Sequence, residues 1–195
     1  MITKNELRTK RVFDFILGLI FFLMLSVPIF LMFLVSCLET REWGIFKQER
    51  IGQYGRPFKL YKIRTLKFEA KDVEKYMPRM GRMGRFFRSY KLDELPQLWN
   101  IIIGDMSFVG PRPDLPGFAD ELKGEDRIIL ELKPGLTGPA TLKYQNEEAL
   151  LADQDDPDEY NQRVIWPDKV KINQAYLRNW SFCLDLKIIF KTIWS

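Results

Sequence analysis

A run of 24 residues without a charged side chain, FILGLIFFLMLSVPIFLMFLVSCL at residues 15–38, constrains this chain more than any other feature. As a straight helix it would be about 36 Å long, against about 30 Å for the hydrocarbon core of a bilayer. The run is longer than the apolar part of a signal peptide, and charged residues rather than a small-residue cleavage site follow it. We therefore expect residues 1–40 to form a basic flank and a membrane helix.

Pro28, near the middle of this run, leaves two topologies open. Proline removes the hydrogen bond to the carbonyl of Met24 and kinks the helix, with Ser26 nearby as a hydroxyl for the freed backbone groups. Each limb would reach about 15–20 Å, roughly half of the hydrocarbon core. Both flanks of the run are basic, which favours the cytoplasmic side for both ends and hence a re-entrant helix. A single tilted span with a proline kink is the alternative.

The composition excludes several kinds of catalysis. The 195-residue chain has two cysteines and no histidine, so it has no Ser-His-Asp or Cys-His site and no HExxH zinc site. Its length suits one domain, which we place at residues 41–195. Residues 1–91 hold 19 Lys and Arg against 8 Asp and Glu, whereas residues 92–195 hold 11 against 18. The basic half is expected to face membrane lipid, a phosphorylated substrate or nucleic acid.

Basic and aromatic side chains are interleaved in the stretch FKQERIGQYGRPFKLYKIRTLKFEA, residues 46–70. One interpretation is a juxtamembrane segment that binds anionic headgroups, with each charge contributing about 1 kcal/mol. The other is a phosphate-binding surface on which Lys59, Lys62 and Arg64 converge. The two roles are compatible. Nucleic acid is not expected, because the chain carries a membrane segment and no nucleic-acid-binding motif.

Two adjacent carboxylates, Asp93 and Glu94, stand at the start of a predicted helix. Apolar residues recur at helical spacing up to Gly104, and Pro96 belongs in a first turn, so this helix is predicted to begin near Asp93. In that position the pair would cap the helix, which is a common arrangement.

A catalytic interpretation of the pair is also open. Arg88 precedes it and Arg112 follows it in the tight element GPRP. Together these residues provide a nucleophile or metal ligand, a second acid or base, and donors for phosphate charge.

The string KLDELPQLWNIIIGDMSFVGPRP resembles the signature of the bacterial sugar transferases, the small monotopic phosphoglycosyl transferases that use a polyprenol phosphate. The stretch FKQERIGQYGRPFKLYKIRTL is similar to the segment after the family's membrane helix, KPGLTG at residues 133–138 to its next landmark, and SFCLDLKIIFKTI to its closing helix. The resemblance implies a re-entrant helix broken at Pro28. For the whole chain we expect an α/β fold with helical bias and interfacial amphipathic helices, with the last helix either at the membrane interface or packed into the core. The family often has Ser directly before that proline, where this chain has Val27.

The resemblance also implies a two-step reaction. Asp93 would attack the sugar-bearing phosphorus of a UDP-sugar, release UMP and carry the phosphosugar until polyprenol phosphate takes it. Glu94 would assist with proton or charge handling, and Mg²⁺ would bind with Asp93 among its ligands. The positions that match the family's basic residues, expected to bind phosphate oxygens, are Lys59, Arg88 and Arg112. The expected location is the cytoplasmic face of the bacterial inner membrane, at the first membrane step of glycoconjugate biosynthesis.

After KPGLTG the chain departs from the family pattern. No arginine stands beside Gln145 and Asn146, and Asn173 occupies a position where an acid is often found, with Asp168 as a candidate replacement. The sugar and the oligomeric state are therefore left open. A rival function from another class is a non-catalytic membrane adaptor that binds anionic lipid or a partner protein.

Overall fold

The structure, a computed structural model, describes residues 2–67 and 79–194. The helices are α1 (Lys4–Thr40), α2 (Arg82–Ser89), α3 (Gln97–Ile103), α4 (Pro139–Lys143), α5 (Glu147–Ala152), α6 (Pro157–Tyr160), α7 (Trp166–Arg178) and α8 (Phe182–Ile193). The strands are β1 (Ile45–Ile51), β2 (Pro57–Ile63), β3 (Leu66–Lys67), β4 (Arg79–Met80), β5 (Ser107–Val109) and β6 (Gly135–Thr137). The strands form three two-stranded sheets, β1–β2, antiparallel β3–β4 and parallel β5–β6. The predicted α/β class with helical bias is confirmed.

The chain divides into two compact units, neither of which is continuous in sequence. The larger unit contains residues 1–14, 50–58 and 104–195, and the smaller unit contains residues 15–49 and 59–103. The division at residue 40 that we expect from the sequence stays a prediction.

In the core of the smaller unit, the second half of α1 packs against β2 and α2. Met32 of α1, Ile63 of β2 and Phe87 of α2 are buried together. On α2, a Cβ at Gly84 would come within 2.6 Å of the Thr65 carbonyl oxygen, so only glycine allows this close approach.

The last turn of α1 also caps α2. The carboxylate of Glu39 accepts hydrogen bonds from the backbone N–H groups of Met83 (2.9 Å) and Gly84 (2.8 Å). These N–H groups have no partner within their own helix, and a negative charge there is favoured by the helix dipole. The contact fixes where α2 begins.

A buried charged network anchors the first turns of α1 in the larger unit. Lys10 forms an ion pair with Asp185 of α8, and Asp185 also accepts hydrogen bonds from the Tyr176 hydroxyl and the Trp180 indole. One turn along α1, Asp14 accepts a hydrogen bond of 3.1 Å from the backbone N–H of Phe108 in β5. Because buried charges need such partners, these contacts hold the start of α1 against α8 and β5.

The long helix α1 runs from Lys4 to Thr40 with Pro28 inside it. The Ser26 hydroxyl donates a 2.8 Å hydrogen bond to the Leu23 carbonyl. Most of the apolar surface of α1 is exposed, and only 11% of its most apolar 18-residue window is buried. Within residues 2–67 and 79–194 it is the one helix long and apolar enough to cross a membrane. An exposed apolar surface of this size is typical of a site that contacts a membrane or another protein.

Candidate active site

Asp93 and Glu94 lie in a short 3₁₀ turn, Leu92–Glu94, rather than in the first turn of an α-helix. Lys91 precedes the turn in the left-handed conformation, with φ 54° and ψ 22°. Its carbonyl accepts a hydrogen bond of 3.2 Å from the N–H of Glu94. This reversal after α2 turns the chain so that Asp93 is buried while Glu94 is partly exposed.

The predicted helix begins later than its apolar pattern suggests. We expected a start near Asp93, and α3 starts at Gln97. Pro96 has no N–H to donate, so the residues before it pair three apart, as in the 3.2 Å bond from the Leu95 N–H to the Leu92 carbonyl. The predicted end is confirmed, because α3 ends at Ile103 and Gly104 follows with φ +95°.

Asn100 fastens α3 to the edge of β2. Its Oδ1 accepts a hydrogen bond of 3.2 Å from the Tyr61 N–H, and its Nδ2 donates one of 2.8 Å to the Lys59 carbonyl. Residues two apart in a strand present their backbone groups on the same edge, so a single amide side chain pairs with both. Asn100 is fully buried. Sequence reasoning missed it, although a polar residue within the apolar run of α3 was the available signal.

The alignment of α3 with β2 brings Lys62 to Glu94. The Lys62 Nζ lies 2.9 Å from Oε1 of Glu94, and both side chains are about four-fifths buried. An ion pair with this degree of burial is screened less than a surface pair.

Asp93 makes no such ion pair among the residues that the structure describes. Burial, and next the neighbouring Glu94 charge, raise the pKa of the Asp93 carboxyl, while Lys62 and Arg88 lower it. A buried carboxylate with cations nearby but none bonded to it is a common arrangement for a reactive group.

Three of the predicted phosphate-binding residues occupy different positions along β2 and the residue that follows it. Lys59 and Lys62 are three residues apart in β2, an odd separation that puts their side chains on opposite faces. Arg64 follows β2, and its guanidinium contacts Glu42 (3.0 Å) and the Trp43 carbonyl (2.8 Å). The structure therefore brings Lys62 to the carboxylate pair and holds Arg64 against the loop after α1.

Arg112 belongs to the larger unit, where its loop is held from two directions. The Pro111 carbonyl accepts a 2.7 Å hydrogen bond from the Gly135 N–H, and the Pro113 carbonyl accepts one of 3.2 Å from the Arg50 guanidinium. Both prolines are buried while Arg112 is exposed. The flanking bonds and the fixed proline φ angles present the Arg112 side chain from a rigid backbone.

Asp114, two residues further along, was not singled out from the sequence. Burial raises its pKa to about 6, although Lys169, Arg50 and Arg112 favour its charged form. Its backbone carbonyl accepts a 2.9 Å hydrogen bond from the Ile51 N–H. The group belongs to the same charged surroundings as Arg112.

Comparisons with known proteins give the family. The model of the family described as bacterial sugar transferase matches residues 5–195. The chain belongs to the bacterial sugar transferase family. It is 35% identical over 187 residues to the sugar transferase EpsL of Bacillus subtilis, itself uncharacterized, with 94% of this chain and 85% of that protein covered.

Two further relatives have more specific names. A second B. subtilis protein, provisionally named an undecaprenyl-phosphate N-acetylgalactosaminyl 1-phosphate transferase, is 43% identical over 156 residues, with 74% of this chain and 83% of that protein covered. The UDP-glucose:undecaprenyl-phosphate glucose-1-phosphate transferase of Klebsiella pneumoniae is 33% identical over 197 residues, with 95% of this chain and 39% of that longer protein covered. The sugar transferase described here is accordingly an enzyme, a phosphoglycosyl transferase.

The acids of this transferase limit how it could hold a metal. No group of three Asp, Glu, Cys or His side chains is assembled in the described part of the chain, residues 2–67 and 79–194. The candidate metal ligands at the proposed active site are therefore the two adjacent carboxylates, Asp93 and Glu94. Mg²⁺ is often bound by one or two carboxylates together with substrate phosphates, so this pair fits Mg²⁺ if a diphosphate supplies further oxygens.

The region where the transferase departs from its family contains a separate polar cluster. Asp168 accepts hydrogen bonds of 2.6 Å from both the Lys143 ammonium and the Tyr144 hydroxyl, which lower the pKa of its carboxyl. Asn173, where an acid is often found, is buried in α7, and within the described residues its Oδ1 has no hydrogen-bond partner. Asp168 is thus already paired at the surface, and Asn173 is enclosed.

Proposed function

We propose that this transferase moves a sugar 1-phosphate from a UDP-sugar to polyprenol (undecaprenyl) phosphate and releases UMP. The observation that carries the proposal is the contrast within the carboxylate pair. Glu94 is ion-paired to Lys62, whereas Asp93 is buried, has a raised pKa and forms no ion pair among the described residues. The names of the relatives support the reaction, because they specify an undecaprenyl-phosphate acceptor and, for the K. pneumoniae protein, a UDP-sugar donor.

In the first step an oxygen of the Asp93 carboxylate attacks the phosphorus that bears the sugar. The bond from that phosphorus to the oxygen shared with the uridine phosphate breaks, and UMP leaves with the electron pair. The phosphosugar stays on Asp93 as an acyl phosphate. Burial supports this role, because a carboxylate with few waters around it is a stronger nucleophile than a solvated one.

In the second step an oxygen of polyprenol phosphate attacks the same phosphorus. The acyl phosphate bond breaks, the Asp93 carboxylate is restored, and the product is a polyprenol diphosphate sugar. Glu94 assists with proton or charge handling in these steps. The product would serve as the first membrane intermediate of glycoconjugate or polysaccharide biosynthesis.

The cations near the pair supply the electrostatic stabilisation. Lys62 and Arg88 are close enough to Asp93 to lower its pKa, so they are also placed to attract the phosphate oxygens that approach it. Lys59, Arg64 and Arg112 are proposed as further phosphate-binding residues, with Arg112 presented from its rigid loop. Phosphoryl transfer depends mainly on positioning and charge, which these residues provide.

Mg²⁺ is the proposed cofactor. Asp93 would be among its ligands, with the diphosphate of the donor completing the coordination. When bound, the ion would offset the phosphate charge that repels a carboxylate nucleophile.

The contacts of α1 support a re-entrant or interfacial helix rather than a span. Its start is part of the larger unit, where Lys10 and Asp14 pair with Asp185 and Phe108. Ten residues after α1 ends, the chain is again part of the larger unit, at residues 50–58. No second apolar helix intervenes among the described residues, which supports our proposal that both ends of the apolar run lie on one side of the membrane.

The second half of α1 supports the same topology. Met32 is buried against Ile63 of β2, and the Ser36 hydroxyl donates a hydrogen bond of 2.6 Å to the Arg64 carbonyl. A limb packed against a strand that carries Lys62 cannot be surrounded by hydrocarbon on all sides. Since basic flanks favour the cytoplasm, we place the enzyme on the cytoplasmic face of the inner membrane, with the bend at Pro28.

The experiment that tests the function is UMP release. The full chain in detergent is incubated with Mg²⁺ and each of a panel of UDP-sugars, without and with undecaprenyl phosphate. We expect one UDP-sugar to yield a single turnover of UMP without acceptor and continuous release with it. Asp93→Asn should abolish both while the protein stays folded. Survival of UMP release in that variant would disprove the assignment of Asp93 as the nucleophile. If no UDP-sugar yielded UMP, the proposal that the donor is a UDP-sugar would be wrong.

A further inference from the structure

Helix α2, which leads into the carboxylate pair, contains a three-residue repeat. The sequence of residues 79–91 is RMGRMGRFFRSYK. Every third residue is basic, namely Arg79, Arg82, Arg85, Arg88 and Lys91. The next residues are apolar at Met80, Met83 and Phe86, and the third positions are Gly81, Gly84 and Phe87. Gly84 and Phe87 are buried within the smaller unit, so this third set of the repeat faces the protein interior.

The apolar set remains exposed. Met83, Phe86 and Tyr90 are 40%, 47% and 68% exposed, and the Phe86 and Tyr90 rings are 5.0 Å apart. At about 100° per residue these three side chains fall within an arc of about 60°, directly beside the buried residues of α2. We call Met83, Phe86 and Tyr90 the α2 stripe. The apolar surface of α2 is thus wider than the part that the protein covers.

The α2 stripe lies between the membrane segment and the reactive carboxylate. Its helix begins where Glu39, in the last turn of α1, accepts hydrogen bonds from the first N–H groups of α2. The chain reaches Asp93 four residues after the helix ends at Ser89. In the last turn of α2, Arg88 interacts electrostatically with Asp93.

We propose that the α2 stripe binds the first isoprene units of the polyprenol phosphate acceptor, with the acceptor's phosphate directed to Arg88 and Asp93. This inference rests on the proposed function and names an acceptor subsite for it. The acceptor is an apolar chain with an anionic end. Around α2, the exposed apolar stripe is followed by Arg82 and Arg85 and then, on the far side of the helix, by Arg88, which interacts with the reactive carboxylate. The complementarity covers both parts of the molecule.

The width of the stripe favours one lipid chain over the bilayer as its occupant. An amphipathic helix that lies on a broad apolar phase presents an apolar face of about 100° or more. The exposed arc of α2 is about 60° wide, and the helix is only about 12 Å long. A surface of this size matches a single isoprenoid chain.

Photocrosslinking tests the contact without depending on catalysis. A polyprenyl phosphate with a diazirine in its first isoprene units is added to the full-length protein in nanodiscs, and the labelled peptides are mapped. We expect label within residues 79–91 that undecaprenyl phosphate displaces and phosphatidylglycerol at the same mole fraction does not. Equal displacement by phosphatidylglycerol would mean that α2 contacts the bilayer, and label confined to other segments would place the acceptor elsewhere. Either result overturns the proposal.

A kinetic comparison in detergent adds a matched control. Phe86→Ala should raise the KM for undecaprenyl phosphate about tenfold, because an aromatic contact with the lipid chain is lost. Single-turnover UMP release without acceptor should be unchanged. The control is Phe190→Ala on α8, where Phe190 is 62% exposed and lies 5.8 Å from the Trp194 ring. Alanine preserves helix propensity in both variants.

The outcomes separate the two proposals. An unchanged acceptor KM in Phe86→Ala, or an equal rise in Phe190→Ala, would overturn the α2 subsite while leaving the reaction intact. Loss of UMP release in every protein, including the unmodified one, would contradict the proposed function, and crosslinking would then decide the subsite alone. Met83→Ala provides a second variant if Phe86→Ala lowers the thermal unfolding temperature.

Discussion

Lys62 in β2 lies 2.9 Å from Glu94, the neighbour of the buried Asp93, although 32 residues separate the two in sequence. The ion pair gives the two acids of the pair different surroundings. Glu94 is held by a cation, while Asp93 has Lys62 and Arg88 near enough to affect its pKa but is bonded to neither. This asymmetry supports the proposed attack by Asp93 and underlies the predictions that follow.

Removing Lys62 should move the pH dependence of the first step. Lys62 lowers the pKa of Asp93, so Lys62→Met should raise that pKa further. If the ionised carboxylate is the nucleophile, the acid limb of single-turnover UMP release then shifts to higher pH. Lys123→Met is the control, because Lys123 is exposed and is not among the charges that act on Asp93. An acid limb at the same pH in Lys62→Met and the unmodified enzyme would contradict the assignment.

Asp93→Asn should be inactive and yet more stable. Loss of the nucleophile should reduce UMP release at least about a thousandfold. The pKa of Asp93 is raised in the folded protein, so as pH rises past the carboxyl's ordinary value the unfolded chain loses its proton first. Folding stability therefore falls with increasing pH until the raised pKa is passed, and at pH 7 the ionised group is destabilising. The variant should unfold at a higher temperature than the unmodified protein at pH 7.

Glu94→Gln is the comparison for that measurement. It breaks the pair with Lys62, so it should lower the unfolding temperature rather than raise it. If Asp93→Asn and Glu94→Gln changed the unfolding temperature equally and in the same direction, the two carboxylates would not have the different surroundings described above.

Asn100→Ala should weaken both the fold and the site. The change leaves the Tyr61 N–H and the Lys59 carbonyl without their partner and should reduce the free energy of unfolding by about 2–4 kcal/mol. Because β2 also carries Lys62, the rate of UMP release should fall as well. Asn179→Ala, at an exposed site with a single bond to the Ala175 carbonyl, should change stability by less than about 0.5 kcal/mol. Chemical denaturation in detergent measures both, and equal effects would refute the role of Asn100.

Cysteine labelling in sealed vesicles tests the topology. Single cysteines are introduced by Asn5→Cys, before the apolar run, and Glu121→Cys, in the larger unit, in a background with Cys37→Ser and Cys183→Ser. Both positions are exposed. A membrane-impermeant maleimide should reach both from the cytoplasmic side, because the start of α1 is part of the larger unit. Labelling of the two positions from opposite sides would require a span.

Local patterns predicted several elements correctly. The apolar run predicted the long apolar helix α1, and Gly104 predicted the end of α3, because each depends on residues within a few positions in the chain. The start of α3 was predicted too early. Helical spacing alone does not register that Pro96 forces a tighter turn before the helix. The kink at Pro28 and the roles of the site residues stay predictions.

Contacts between distant residues were beyond reach of the sequence. The sequence gives no reason to distinguish the basic residues at positions 59, 62 and 64. In the structure Lys62 forms an ion pair with Glu94, whereas the Arg64 guanidinium contacts Glu42 and the Trp43 carbonyl. Asn100 looked like one polar residue in an apolar helix, and its two bonds to β2 depend on how α3 and β2 are aligned.

The sequence by itself determined that the chain has a long apolar helix, that an Asp-Glu pair stands shortly before a second helix, and which family these motifs indicate. Each of these follows from composition and short-range spacing. The tertiary structure decided which acid is ion-paired, which lysine pairs with it, and that Lys10 meets Asp185 across 175 residues. Burial and ion pairing depend on segments brought together only by folding, so no local pattern specifies them.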